Sequence, residues 1–362
     1  MDTQTRFELI KEVGEEVITE NELREIVESK QHPIAYDGFE PSGLAHLPFG
    51  IFRPLLLKDL TKAGVHFKLW IADWFGWINN KMGGDLEAIK RVGDYFIEVW
   101  KAGGLDPKKV EFIFASDKLK DPEYWRRFVL IGKNTTMSRA TRALNIMGRT
   151  EGEMKEVAQY FYPIMQANDI FQLDVDIAQL GLDQRRACML ARDIAPKLNL
   201  KKPVAVSHHM LMGLQGVKQP DGLEDDKGMD IKISSKMSKS KPESSVFVHD
   251  SAKDIKRKIN TAFCAPKDIQ NNPMLDYAKH IIFRAYTDMT IDRHAKFGGA
   301  ITFSSYEELE AMFRKGELHP ADLKAGVARY IDLMVAPIRQ HFEKNAKAKR
   351  LYEFVKKQEV TR

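Results

Sequence analysis

Apolar residues recur along this chain in two rhythms, and the switching between them sets the expected architecture. At the N-terminus Phe7, Ile10, Val13, Val17 and Ile18 keep a helical spacing; residues 19–21 interrupt it, and Leu23, Ile26 and Val27 resume it. Two helices are therefore expected before the first strand. Residues 34–50, IAYDGFEPSGLAHLPFG, open apolar as a short buried strand, turn at Glu40, Pro41, Ser42 and Gly43, and run into a helix of roughly 46–63 that stops at Ala63-Gly64. Residues 66–72 read as a second strand and residues 73–80, DWFGWINN, as a polar-aromatic loop. Leu86, Ile89, Val92, Phe96 and Val99 mark a helix over 85–102, ended by Gly103-Gly104, and residues 110–115 a third strand.

Residues 121–173 break the alternation and read as a helical insertion. It resumes with a strand at 174–180, a helix at 183–198 capped by Asp183, and a strand at 203–207. Strands alternating with helices over short connections imply a parallel sheet covered on both faces. Residues 213–235 lack periodicity and are expected to be a mobile loop. Beyond residue 240 the strand signal disappears, and residues 251–263, 273–285, 305–315 and 319–342 all read as helices, followed by a tail that is a basic amphipathic helix or a frayed end. The expected fold is α/β: a doubly wound, Rossmann-like parallel sheet with a helical insertion, followed by an all-helical C-terminal domain. Its boundaries are expected at 1–30 for the N-terminal helices, 31–228 for the sheet domain, 229–250 for a linking loop and 251–362 for the helical domain. Such a sheet binds its ligand at the carboxyl ends of the strands, where strand order reverses. The turn after the first strand and the segment at 181–184 should therefore meet at one cleft.

At 362 residues the chain suits one large domain and a smaller one, or two medium ones, and 43% hydrophobic with 30% charged residues is ordinary for a soluble protein. A net charge of +5 suits a polyanion partner without requiring one. Cys188 and Cys264 stand far apart with no C-x-x-C pattern, which argues against a disulfide framework and a zinc site and fits a reducing compartment. The charged N-terminus does not read as a signal peptide, and no apolar run reaches the roughly eighteen residues of a membrane span. A cytoplasmic protein with no membrane partner is expected.

A strand, a glycine-bearing turn and a helix N-terminus offer backbone N–H groups to an anion, and His46 adds a donor. Lys236 and Lys239 flank Met237 and Ser238 in the linking loop, where two ammonium groups can follow a polyphosphate during reaction. Either feature alone is common: an ordinary βα turn, or a basic surface loop. Together, P-S-G-x-x-H and K-M-S-K-S form the signature of class I aminoacyl-tRNA synthetases, and this sequence resembles that class.

Further motifs narrow the resemblance. Residues 36–43 (YDGFEPSG), 162–166 (YPIMQ) with Asp169, 181–185 (GLDQR), 296–299 (KFGG) and 318–322 (LHPAD) are similar to those of tyrosyl-tRNA synthetases. Residues 72–74 (ADW) and 79–85 (NNKMGGD) fit the archaeal and eukaryotic branch. The likeness covers about residues 30–342. There are two departures. The first motif, commonly H-x-G-H, is His46-Leu47-Pro48-Phe49 here, so the second histidine's role is not assigned to Phe49. The loop at 216–232 is also longer.

The resemblance implies a role for each matching position. Tyr36 and Asp169 would bind the phenolic hydroxyl of tyrosine; Tyr162, Gln166 and Gln184 would hold its ammonium and carboxyl ends. Gly38, Glu40, Gly181 and Asp183 would line the ATP and ribose part of the cleft, with Met210, Leu211 and Met237 near adenine, although Met210 and Leu211 read more readily as plain core. His46, Lys236 and Lys239 would meet the triphosphate. Phe297, His319 and Asp322 would hold the first anticodon base of tRNA(Tyr), making the helical domain an anticodon-binding domain. ATP with Mg2+ is the implied co-substrate, no protein metal site is assigned, and a homodimer is implied. Three rivals stay open: a tryptophanyl-tRNA synthetase, which Tyr36 and Asp169 oppose; a non-catalytic RNA-binding relative, which intact His46, Asp183, Lys236 and Lys239 oppose; and another nucleotidyltransferase, which would not need Phe297, His319 and Asp322.

Overall fold

A computed structural model describes every residue except 148–151, 153, 220, 221, 223–225 and 359–362. Helix α1 (Thr3–Lys11) is capped by Asp2, and α2 (Glu20–Ser29) opens on a reciprocal Thr19–Glu22 capping box. Between them lies a strand that periodicity did not predict, β1 (Glu16–Ile18). Val17 and Ile18 fit the helical spacing, yet they pair antiparallel with Val206 and Ala205. Three residues are too few to display a strand period, and the partner that makes them a strand lies far along the chain.

The strands β2 (Ile34–Phe39), β3 (His66–Ile71) and β4 (Val110–Phe114) form where expected. A wide π-helical turn at Pro48–Phe52 leads into α3 (Arg53–Lys62). The expected loop at 73–80 instead contains α4 (Asp73–Ile78), because Phe75 and Ile78 bury one side of a single turn and a half. Helix α5 (Leu86–Ala102) is capped by Asp85, and a short α6 (Ala115–Lys118) follows β4. The insertion contains α7 (Pro122–Lys133), α8 (Met137–Ala143) and α9 (Tyr162–Gln172). Strand β5 is only Ile177–Ala178, shorter than the expected 174–180; α10 (Arg185–Ile194) and β6 (Val204–Ser207) follow.

The strands order as β1-β6-β5-β2-β3-β4, all parallel except β1. From β2 the chain winds outward to β3 and β4, then crosses back to β5 and β6, so strand order reverses between β2 and β5. Side chains alternate across the sheet. Ala35, Leu69 and Val204 join an apolar cluster on one face, and Tyr36, Trp70 and Ala205 join a cluster on the other.

Within the expected loop at 213–235 the structure shows α11 (Lys227–Ser234), while the loop's residues 220, 221 and 223–225 lie outside the described residues. Then come α12 (Ala252–Thr261) and α13 (Pro273–Tyr277), with a π-helical turn at Ala278–Ile282 joining α13 to α14 (Phe283–Ala285). A hairpin of β7 (Met289–Ile291) and β8 (Ile301–Phe303) corrects the expectation of an all-helical C-terminal region. Helices α15 (Tyr306–Lys315), α16 (Pro320–Lys344) and α17 (Ala346–Lys356) complete the chain. One apolar cluster runs from Phe7 and Leu69 through Ile259 and Ile281 to Ile331 and Val355, so these helices share their core with one face of the sheet. Among the described residues no helix is long and apolar enough to cross a membrane.

Candidate active site

The carboxyl ends of β2 and β5 flank the reversal point, and the candidate residues gather there. Beyond β2 the chain turns through Pro41, Ser42 and Gly43. Gly43 sits at φ +95°, a left-handed conformation that glycine reaches without a steric penalty. Glu40, at the strand's end, accepts from Asn79 Nδ2 at 2.6 Å and from the Tyr162 hydroxyl at 3.4 Å, with Lys81 Nζ 3.7 Å away. After β5, Gly181 allows a close approach: a Cβ there would lie 2.6 Å from Asp183 Oδ1 and 2.9 Å from Met210 Sδ. Gly38 is roomier, with Trp70 Cδ1 3.4 Å from a Cβ.

Deeper in the crevice lies a buried phenol and carboxyl group. Asp169 is 1% exposed and accepts from the Tyr124 hydroxyl at 2.8 Å. Burial pushes its carboxyl well above the usual range. Tyr36 is equally buried, and its hydroxyl has no hydrogen-bond partner. Burial pushes that phenol, and that of Tyr162, well up. An unpartnered buried hydroxyl costs free energy, so this pocket is chemically incomplete without a polar ligand. Nearby, Gln166 Nε2 donates to Gln184 Oε1 at 3.0 Å, and Gln184 Nε2 to the Ile146 carbonyl at 3.1 Å.

At the mouth stand the cations. Lys239 Nζ donates to Ser42 Oγ at 3.1 Å and lies 5.2 Å from the Phe96 ring centre. Burial lowers its pKa to about 8, against the pull of Glu40. His46 Nδ1 is buried and unpartnered, and burial, with Lys239 beside it, takes the ring down to about 3, so it is neutral at physiological pH. Lys236 Nζ donates to Asp183 Oδ2 at 2.5 Å. Burial works against the Asp183 charge, yet Lys236 holds the carboxyl below its ordinary value. The expected capping of α10 by Asp183 does not occur, because this ion pair takes the carboxylate and no side chain caps that helix. Phe49 packs on Phe96 and Trp100 at ring distances of 4.2 and 4.5 Å, so the position of the missing second histidine is filled by core.

The structure thus brings Tyr36, Gly38, Glu40, His46, Tyr162, Gln166, Asp169, Gly181, Asp183, Gln184, Met210, Lys236 and Lys239 around one crevice. The Leu211 and Met237 side chains lie in the apolar core, 1% and 4% exposed, and contribute backbone: Met237 N donates to the Leu211 carbonyl at 2.7 Å. Phe297 is 59% exposed and His319 is exposed at the start of α16. His319 Nδ1 accepts from Ala321 N at 3.1 Å, so His319 caps that helix. Among the described residues no ring contact joins Phe297 to His319.

Three features escaped the sequence reading. Tyr124, from the insertion, supplies Asp169's hydrogen bond. Arg53, 2% exposed, lies 3.3 Å from Asp37, donates to Gln179 and stacks 4.7 Å from the Phe67 ring centre, forming a buried ionic floor under β2. His209 joins Glu15 at 2.9 Å and Asp276 at 2.7 Å. No local pattern signals any of these, since each partner is distant in sequence. His209, Asp276 and His280 also form a group whose metal-ligand atoms lie within 4.8 Å. The two imidazoles, however, stack 3.9 Å apart at 11°, so their in-plane lone pairs do not converge on one point.

Comparison with known proteins identifies the family. The family model described as tRNA synthetases class I (W and Y) matches residues 28–220 and 230–336. The chain is 42% identical over 364 residues to tyrosine–tRNA ligase 1, cytoplasmic, of Arabidopsis thaliana, covering all of this chain and 90% of that one. It is 43% identical over 380 residues to the tyrosine–tRNA ligase of Thermococcus sibiricus, covering both completely. Against tyrosine–tRNA ligase 2, cytoplasmic, of Arabidopsis thaliana it is 43% identical but spans 46% of the relative's length. The crystal structure of tyrosyl-tRNA synthetase complexed with L-tyrosine from Pyrococcus horikoshii superposes with a TM-score of 0.89 at 42% identity, over 98% of this chain and 100% of that one. The chain belongs to the tyrosyl-tRNA synthetase family of class I.

Proposed function

We infer that this protein is a tyrosine–tRNA ligase. It activates tyrosine with ATP to tyrosyl-adenylate and pyrophosphate, then transfers the tyrosyl group to the 3′-terminal ribose of tRNA(Tyr), releasing AMP. The observation that carries the reading is the buried Tyr36 hydroxyl and Asp169 carboxyl at one end of a crevice whose other end holds His46, Lys236 and Lys239. Tryptophan has no hydroxyl for the first pair, and a non-catalytic relative would have no use for the second set.

The tyrosine phenol bonds to Tyr36 and Asp169, and its ammonium and carboxylate lie toward Tyr162, Gln166 and Gln184. The carboxylate oxygen attacks the α-phosphorus of ATP in line, and the bond to pyrophosphate breaks. Gly38 and Gly181 let backbone approach the nucleotide, Asp183 accepts from the ribose hydroxyls, and Glu40 lines the same part of the cleft. Lys236 must exchange its bond with Asp183 for phosphate oxygen, and Lys239 its bond with Ser42. The neutral His46 donates a hydrogen bond to phosphate. No covalent nucleophile is required; positioning and charge stabilisation carry the displacement. Magnesium would accompany ATP, held mainly by phosphate oxygens and water rather than by protein side chains, and would supply charge neutralisation there.

We place the adenine beside Met210, with the Leu211 and Met237 backbones behind it, and divide the chain into N-terminal helices (1–30), a catalytic domain (31–228), a linking loop (229–250) and an anticodon-binding domain (251–362). Phe297, His319 and Asp322 read the first anticodon base. The protein works as a homodimer in the cytoplasm. Tyrosine-dependent ATP–pyrophosphate exchange tests the reading: exchange supported by tyrosine and not by tryptophan is expected, and its absence overturns it.

A further inference from the structure

Helix α13 carries two neighbouring side chains that grip one peptide segment from both sides. Asp276 Oδ2 accepts from Met212 N at 2.9 Å, and the Tyr277 hydroxyl donates to the Met212 carbonyl at 2.6 Å. Met212 is in turn the antiparallel bridge partner of Lys236. Backbone bonds on either side complete a short ladder: Met237 N to the Leu211 carbonyl at 2.7 Å and Gly213 N to the Ser235 carbonyl at 2.9 Å. The base of the K-M-S-K-S loop therefore rests on a strip whose central residue is held by the C-terminal helices. Both clamp residues are themselves fixed. Asp276 Oδ1 takes His209 Nε2 at 2.7 Å, and Tyr277 is fully buried in the core shared with the sheet. His209 also reaches Glu15, to which Lys232 of α11, just before the loop, donates as well.

We propose that Asp276 and Tyr277 are positioning residues for Lys236, coupling the helical C-terminal region to the loop that meets the triphosphate. The proposal rests on the function inferred above. A lysine on a flexible stem stabilises a transition state only as well as its backbone is held, because misplacement of about 1 Å weakens a charge-assisted bond steeply. The clamp fixes the peptide opposite Lys236 without touching substrate. It also gives helices that contact tRNA far from the chemistry a direct mechanical connection to it.

The test uses the full-length enzyme with Tyr277→Phe, which keeps the ring and removes only the hydroxyl. Single-turnover adenylate formation should slow about three- to tenfold, the scale of one lost hydrogen bond, while tyrosine affinity measured without ATP stays unchanged. Tyr330→Phe is the comparator, since its hydroxyl also bonds a backbone group, accepting from Thr290 N, but among the described residues makes no hydrogen bond to the loop; it should leave the rate unchanged. In a Lys236→Ala background Tyr277→Phe should cost nothing further, the non-additivity expected if one acts through the other. An unchanged rate in Tyr277→Phe, a parallel loss in Tyr330→Phe, or full additivity with Lys236→Ala overturns the proposal. If Tyr277→Phe does not fold, the same cycle is run with Asp276→Asn against Lys236→Ala, and additivity there overturns it equally. A wild-type enzyme with no tyrosine-dependent exchange removes the functional reading instead.

Discussion

Under the proposed function, burial makes the Asp169 carboxyl a selector for the substrate hydroxyl. On the proposed reading, a phenylalanine in the pocket would leave the Tyr36 hydroxyl without a partner and Asp169 with only its Tyr124 bond, and that desolvation penalty would reject it. The discrimination known for tyrosine-activating enzymes of this family is about 10⁵, and a preference of that order is the expected outcome for this chain. Asp169→Ala should therefore reduce the tyrosine-over-phenylalanine ratio in pyrophosphate exchange severalfold or more, and an unchanged ratio would reject the assignment. His209 makes a separate, thermodynamic prediction. Burial pulls its pKa down, but Asp276 and Glu15 more than offset this, raising it to about 9, while Glu15, bonded to His209, falls to about 2. The folded-state imidazole thus holds its proton more tightly than the unfolded one. Its stabilisation is complete below about pH 6.5, the unfolded value, and is lost as pH rises through 9. The carboxylate share appears above about pH 4.5 and is lost as pH falls toward 2. The His209 contribution is on the order of 3 kcal/mol. Denaturant titrations of wild type and His209→Asn should differ by about that much near pH 6 and converge above pH 9.

At the scale of an element, the loop at 236–240 is two lysines held in waiting by neighbours that are not their substrate. Lys236 sits on Asp183 and Lys239 on Ser42, so the proposed mechanism requires both to rearrange when triphosphate arrives. Groups that act mainly in the transition state affect kcat and kcat/KM together. Alanine at either lysine should lower both by roughly 10²–10³, as for other lost electrostatic donors, with tyrosine affinity nearly unmoved. Lys239 adds a pH signature. With its pKa lowered to about 8 in the free enzyme, it loses its charge as pH rises through that value. The kcat/KM for ATP should then fall above pH 8, and Lys239→Arg, always charged, should extend the plateau to higher pH.

Across the whole molecule, the crevice at the strand ends and the exposed Phe297 belong to regions that share one apolar core. An enzyme that both activates an amino acid and reads a tRNA separates the two tasks in space, and mutations should separate them in assay. Asp322→Ala should slow aminoacylation of tRNA with guanine at the first anticodon position and shrink its advantage over other bases, leaving pyrophosphate exchange unchanged. Loss of one ring at Phe297 should cost roughly tenfold or more, the scale of a base-stacking contact. Equal losses in both assays would point to a folding defect instead.

Much of this was written locally. The strand at Ile34–Phe39, the helices of the C-terminal half and the signature residues announce themselves because their hydrophobic period, turn residues and motif order lie within a short stretch of chain. The doubly wound order followed from alternation and handedness, and with it the meeting of residues 40–43 with 181–184. What the sequence withheld depends on partners far away. Val17 and Ile18 become a strand only because β6 is there to receive them. Residues Asp73–Ile78 coil because the core offers Phe75 and Ile78 a place to bury. Asp183 abandons its helix for Lys236, and Tyr124 comes from the insertion to complete Asp169. The Asp276–Tyr277 clamp on Met212 spans more than sixty residues in the sequence and has no local pattern. Period and motif are properties of neighbouring residues; the pairing of buried charges, hydroxyls and peptide groups is decided by which surfaces the finished fold presses together.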